Sequence, residues 1–161
     1  KTKASALLAD GFTFADKNAD SEILNKRDDH FYYGEFTEIF YGGRSYGFVS
    51  VTPTWKDSDK LENCVITYYE TPEDSEVLSS IKFNDTDLSK LSIEDFRNKH
   101  LTNIFSLDPF VYKETRQDTF YTIRMQNAGY ELWTSYSILA NFHADGSIDY
   151  YGVRAQHSIW E

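Results

Sequence analysis

The sequence predicts an α+β domain: an antiparallel β-sheet with one main amphipathic helix (about residues 92–106) packed on one face. Three observations predict it. Aromatic and β-branched runs separated by glycine-bearing turns recur through most of the chain. One well-punctuated helical stripe interrupts them. The 161 residues suffice for a single domain with its own core. Residues 30–161 read as that domain, and residues 1–29 as a polar N-terminal lead-in.

In the lead-in, Asp16, Asp20, Asp28 and Asp29 alternate with Lys17, Lys26 and Arg27. That is a solvated pattern, with a short helix expected around residues 20–26. From Phe31 the texture becomes strand-like. "FTEIFY" and "SYGFVSV" flank Gly42-Gly43-Arg44, and Gly-Gly supplies the positive φ that a tight hairpin turn requires. Pro53 has no N–H to donate, so it limits the second strand. "NCVITYYE" is apolar in both alternating rows, as a central strand should be. "TPED" reads as a turn and "EVLSSIKF" as the next strand.

The helix is predicted in "LSIEDFRNKHLTNIF". Ser92 has the N-cap position, Asp95 the capping-box position three residues on, and Leu91 and Phe96 the hydrophobic-staple spacing. Ile93, Phe96, Leu101, Ile104 and Phe105 form one helical stripe, which Asp108-Pro109 ends. A three-strand meander is expected next, from "TFYTIRMQ", "YELWTSYSILANF" and "SIDYYGVRAQ". Its turns fall at Asn127-Ala128-Gly129 and Asp145-Gly146. The middle segment has the clearest period-two pattern, with Tyr130, Leu132, Tyr136, Ile138, Ala140 and Phe142 on one face.

The bulk numbers remove several function classes. A net charge of −10 and a pI near 4.8 oppose binding to nucleic acid or anionic lipid. No apolar stretch approaches the roughly 18–20 residues of a membrane helix, so a membrane-spanning segment is not expected. The lone cysteine, Cys64, excludes an internal disulfide or a multi-cysteine zinc site. The start at Lys1-Thr2-Lys3, without Met, is the pattern of a processed product, with a signal or lipid-anchor segment expected upstream.

Motifs of catalysis are missing: the chain has no phosphate loop, dinucleotide fingerprint, H-E-x-x-H or nucleophile elbow. "YGGRSYG" is glycine-rich but joins two strands. His30, His100, His143 and His157 are scattered, so no metal and no cofactor is expected, and no residue is assigned a catalytic role. Glu35, Glu38, Glu70 and Glu131 sit in strand-like runs, where an inward carboxylate is costly unless it works. They keep open a small glycan-active hydrolase or a small-molecule-binding cup.

The aromatic content, 17%, is the informative excess. Tyr32-Tyr33, Tyr68-Tyr69 and Tyr150-Tyr151 are adjacent pairs, and neighbours on a strand point to opposite faces. One ring of each pair therefore leaves the core layer that holds the other. It lies either at the wet margin of a two-sided sheet or on an open face suited to a protein, peptide or glycan ligand. The residues assigned to such a face are Tyr33, Tyr41, Tyr46, Tyr69, Trp133 and Tyr151, with Arg44 at the hairpin tip as a polar anchor.

The order "SIEDFRNKHLTNIFSLDPF", "TFYTIRMQ", "ELWTSYSILANF", "GSIDYYGV" resembles the helix-plus-meander unit of small bacterial cell-envelope domains over residues 88–155. These are the β-lactamase-inhibitor-like and outer-membrane-assembly lipoprotein families, and Gram-positive lipoproteins of similar layout. Ser106-Leu107-Asp108 stands where those families have Gly before the proline, here Pro109. The resemblance implies a non-enzymatic domain outside the cytoplasm that binds protein through a sheet face, and it carries over no site residue. The expected function is accordingly an extracytoplasmic binding domain, the soluble part of a lipoprotein or secreted protein. The alternative is an acidic inhibitor or immunity-type protein directed at a basic enzyme.

Overall fold

The computed structural model describes residues 2–27, 32–54, 56–72, 75–83, 85–100, 112–117, 119–129 and 132–157. Its strands in chain order are β1 (Thr13–Phe14), β2 (Glu22–Leu24), β3 (Lys26–Arg27), β4 (Tyr32–Tyr33), β5 (Glu35–Tyr41), β6 (Arg44–Thr52) and β7 (Ser58–Lys60). They continue as β8 (Val65–Glu70), β9 (Lys82–Phe83), β10 (Thr86–Asp87), β11 (Tyr112–Gln117), β12 (Phe120–Gly129), β13 (Leu132–Phe142) and β14 (Ile148–His157). Eight of them make one antiparallel sheet in the order β1-β5-β6-β8-β14-β13-β12-β11. β2–β7, β3–β4 and β9–β10 are small separate pairs.

Register assigns the two faces. Val49 lies opposite Tyr69, Tyr69 opposite Val153, Val153 opposite Ile138, and Ile138 opposite Ile123. Directly opposed residues share a face, so this line marks the packed side of the sheet. Two core clusters lie on it. One joins Ile39, Val49 and Val51 to Ala4, Ile23 and Leu61 from the N-terminal segments. The other joins Tyr121, Ile123, Ala140 and Tyr151 to Leu78, Leu88, Leu91 and Phe96. Each such aliphatic or aromatic side chain contributes about 1.5–3 kcal/mol by leaving water.

The sheet and its turns follow the local chemistry. β5 and β6 form the expected hairpin, with Gly42 at φ +58° and Gly43 at φ +79°. β6 stops at Thr52, before Pro53. β8 lies between β6 and β14, a central position. Ser92 caps a helix by accepting from the Asp95 N–H at 3.0 Å, and its staple partners Leu91 and Phe96 are both buried.

Other expectations are corrected. No dominant amphipathic helix is shown among the described residues: α1 (Ala4–Ala9), α2 (Ser75–Ser80) and α3 (Ile93–Asp95) are short, and α3 widens into a π-type turn over Phe96–His100. Residues 101–106 of that expectation lie outside the described residues. The architecture is thus mainly an antiparallel sheet with small helices, α+β in the broad sense. "EVLSSIKF" is not one strand. Its first part is α2, because Val77 and Leu78 reach the core from one helical turn. Asn127–Gly129 is not a turn: these residues continue β12, and Gly129 pairs with Leu132. The meander gains β11 as a fourth strand.

The N-terminal segment is not a solvated lead-in. Ala4, Phe14 and Ile23 are buried, β1 pairs with β5, and the expected helix near residues 20–26 is β2 and β3. Backbone bonds from Ala4 N–H to the Cys64 carbonyl (2.9 Å) and from Ile66 N–H to the Thr2 carbonyl (2.8 Å) hold it against β8. Ala4, Phe14 and Ile23 reach the core from this charged segment, whereas Leu24 stays 52% exposed.

An ion-pair network fastens α3 to the far edge of the sheet. Arg97 Nε donates to Glu114 at 2.7 Å, and the Tyr121 hydroxyl donates to the same carboxylate. The Arg97 bond chiefly, with the Tyr121 bond and against the effect of burial, holds the Glu114 carboxyl below its ordinary 4.5. A carboxyl depressed in the folded state stabilises above its unfolded pKa and loses that stabilisation as pH falls through the folded value. Glu114→Gln should therefore flatten the decline of stability below about pH 4.5, as read by thermal melts across the acid range.

Candidate binding face

The other side of the sheet carries the site. One cross-strand line runs Phe36, Ser50, Tyr68, Arg154, Ser137. The next runs Glu38, Phe48, Glu70, Gly152, Leu139. Both alternate with the packed line, so they point away from the two core clusters. Among the described residues, the helices pack through those clusters and therefore on the opposite side.

The rings on this face touch each other. Phe36 stacks on Phe48 with centroids 5.2 Å apart and planes 9° apart, and lies 5.9 Å from Tyr68. Phe36 is 56% exposed, a large value for a phenyl ring that a soluble surface gains nothing by showing. The Arg154 guanidinium sits 5.1 Å from the Tyr68 centroid, a cation–π placement. The Tyr68 hydroxyl reaches across to Gly152. A Cβ there would lie 3.5 Å from both the Tyr68 hydroxyl and Leu139, so the Tyr68 ring extends over a residue that has no side chain.

Polar atoms on this face are organised around carboxylates. The Tyr68 hydroxyl donates to Glu70, the Ser45 hydroxyl to Glu38 at 2.5 Å, and the Asn141 amide to Asp149 at 2.7 Å. Burial first, then the bond to Glu70, pushes the Tyr68 phenol well above its ordinary range. Burial, then Glu70 and Asp149, raises Tyr150 as well. Both rings stay neutral, and Glu70 keeps a hydroxyl partner across the physiological range.

The residues assigned from sequence have three fates. Tyr41, Arg44, Tyr46 and Tyr69 come together at the end of the β5–β6 hairpin. There Phe12, Tyr41 and Tyr46 form a ring triad with centroids 5.1 to 5.9 Å apart. Arg44 pairs with Glu76 of α2 at 2.5 Å, and the Tyr69 hydroxyl donates to the Tyr46 carbonyl at 3.0 Å. This arrangement ties the hairpin to α1 and α2; Tyr41 alone of the three rings is largely exposed. Tyr151 is buried in the second core, beside Phe83 and Phe96. Tyr33 is placed in β4 opposite Lys26, and Trp133 in β13 opposite Ala128, by their strands alone.

In the two pairs whose side chains are described, the rings face opposite sides, with the expected members exchanged. Tyr69 and Tyr151 face the packed side, whereas Tyr68 and Tyr150 face the open one. The cause is irregular register. The β13–β14 ladder shifts between Asn141 and Phe142, leaving Asp149 as an extra residue, and β6–β8 shifts between Ser50 and Val51. A bulge reverses the alternation beyond it. Ile148 and Tyr151 are thus both buried although their spacing is odd. Phe36, Phe48 and Arg154 were not singled out from sequence; the buried β-branched set Val49 and Val51 is the signal that would have put Phe48 on the other face.

Among the described residues no three His, Cys, Asp or Glu side chains are grouped to hold a metal. A hydrolase pair needs one carboxyl held protonated. Among the described residues, the carboxyls whose ionisation is shifted, Asp20, Glu35, Asp59, Glu114 and Asp145, are shifted downward. At Glu35, burial works upward but is outweighed by Lys17 and the Leu24 N–H. No described helix is long and apolar enough to cross a membrane. The chain matches no protein-family model, and neither a curated protein nor a solved structure is significantly similar to it.

Proposed function

We propose that this chain is a non-enzymatic binding domain that works outside the cytoplasm and engages a partner through the open face of its sheet. The observation that carries the reading is the Phe36–Phe48–Tyr68 group, an apolar surface with charged groups on the same strands. Stacked rings with polar neighbours are what interface centres are made of. Buried Cys64, its thiol raised to about 11 chiefly by burial, is unreactive and so compatible with an oxidising compartment. The resemblance of residues 88–155 to cell-envelope domains points the same way.

Two measurements test the reading. Phe36→Ala should lower stability by no more than about 1 kcal/mol, because an exposed ring loses a stacking contact and no core. A loss near the 3–5 kcal/mol typical of a buried phenylalanine would make the ring structural and remove the argument. The second is a titration followed by aromatic NMR signals, with three probes: hexa-arginine, chitohexaose and hexaglutamate. A binding face requires that one of them shift the Phe36, Phe48 and Tyr68 signals and that Phe36→Ala abolish the shift. Silence from all three would overturn it.

A further inference from the structure

The open face leaves one kind of chemistry unanswered, and we infer that its occupant is an arginine-bearing basic segment of a partner protein; this rests on the binding reading above. The rings and carboxylates alternate in a way that matches a guanidinium. Glu38 and Glu70 lie directly across from Phe48 on its two sides, two strand spacings or about 10 Å apart. Phe36 packs on Phe48 and touches Tyr68, yet 56% of it stays exposed. A guanidinium stacked on that ring would have carboxylates within side-chain reach.

Ser50, Ser137 and Arg154 bring donors to this face, but three others are already committed. Tyr68, Ser45 and Asn141 each direct a donor at a carboxylate of this same chain. What they leave unfilled are carboxylate lone pairs and π-faces, and both favour a cation. The domain itself shows the mode of contact, with its own Arg154 lying over Tyr68 at 5.1 Å. The net charge of −10 adds long-range attraction for a basic partner. Arginine suits the site better than lysine because its planar guanidinium stacks on a ring while its edge donates to carboxylate.

The test is the hexa-arginine titration in low salt, read by the Phe36 and Phe48 aromatic signals. Binding should weaken steeply as salt rises, and hexa-lysine should bind more weakly at equal charge. Phe36→Ala, with Phe36→Leu as a second variant should the first fold poorly, should raise Kd by about 3-fold or more. Glu38→Gln with Glu70→Gln should raise it about 3- to 10-fold. Asp10→Asn with Glu22→Gln removes the same charge from the elements that cover the packed side, and should change Kd by less than about 2-fold. Equal losses in the two double variants would reduce the binding to general charge attraction and overturn the inference. Signal shifts with chitohexaose or hexaglutamate but not with hexa-arginine would overturn it too, while leaving the binding reading standing. Silence from every probe would end both.

Discussion

Gly47→Ala should destabilise the domain by more than about 3 kcal/mol, a large part of what a domain this size has. Two independent obstacles meet there. Gly47 has φ +101°, where an L side chain is strained, and a Cβ would come 2.0 Å from the Glu70 carbonyl oxygen and 3.0 Å from the Pro72 nitrogen. Those atoms are backbone of the neighbouring strand, so no rotamer change relieves the contact. β6 and β8 would have to separate, and with them Phe48 and Glu70, which face each other across that ladder. Gly43→Ala is the control: φ is +79° but nothing lies within 4 Å, so about 1–2 kcal/mol is expected. Urea titrations of both variants separate the strain from the clash. Equal effects would show that β6 and β8 are not held at this separation.

Phe96→Ala should cost about 3–5 kcal/mol by the same measurement. Phe96 is fully buried and its ring lies 5.4 Å from Tyr121, 5.6 Å from Phe83 and 6.2 Å from Tyr151. It is the point where α3, the β9–β10 segment and the sheet meet. Truncation removes the buried area and leaves a void walled by three aromatic rings that are too rigid to fill it. Phe96→Leu refills most of the volume and should recover more than half of the loss. Hydrogen exchange in Phe96→Ala should rise first in β12 and β14, on the second core, ahead of β5 and β6 on the first. Uniform loss of protection would mean that the two clusters unfold as one unit.

Most turns and caps were legible locally; the Asn127–Gly129 turn was not, because pairing with β13 continues the strand there. The Gly42–Gly43 turn, the stop before Pro53, the Ser92 cap with its Leu91–Phe96 staple, and the Asp145–Gly146 turn each depend on a few adjacent residues. The errors share a different cause. Val77, Leu78 and Ile81 fit either a strand or a short helix, and contact with the second core selected the helix. Ile23 stands among charged neighbours, so its burial is visible only once β2 lies under the sheet. The helical stripe after Ser92 identified Phe96 as a core residue, but the π-type turn over Phe96–His100 is not a property of the stripe.

The sequence by itself determined a mostly antiparallel domain, its principal turns and the presence of more rings than one core layer admits. Those follow from backbone preferences and side-chain alternation, which act over a few residues. Tertiary structure decided which ring of the Tyr68–Tyr69 and Tyr150–Tyr151 pairs lies on the open side, and so which residues make that face. That choice passes through the register shifts at Asn141/Phe142 and Ser50/Val51. A register is set by pairing between distant segments, and a one-residue shift turns every later side chain over.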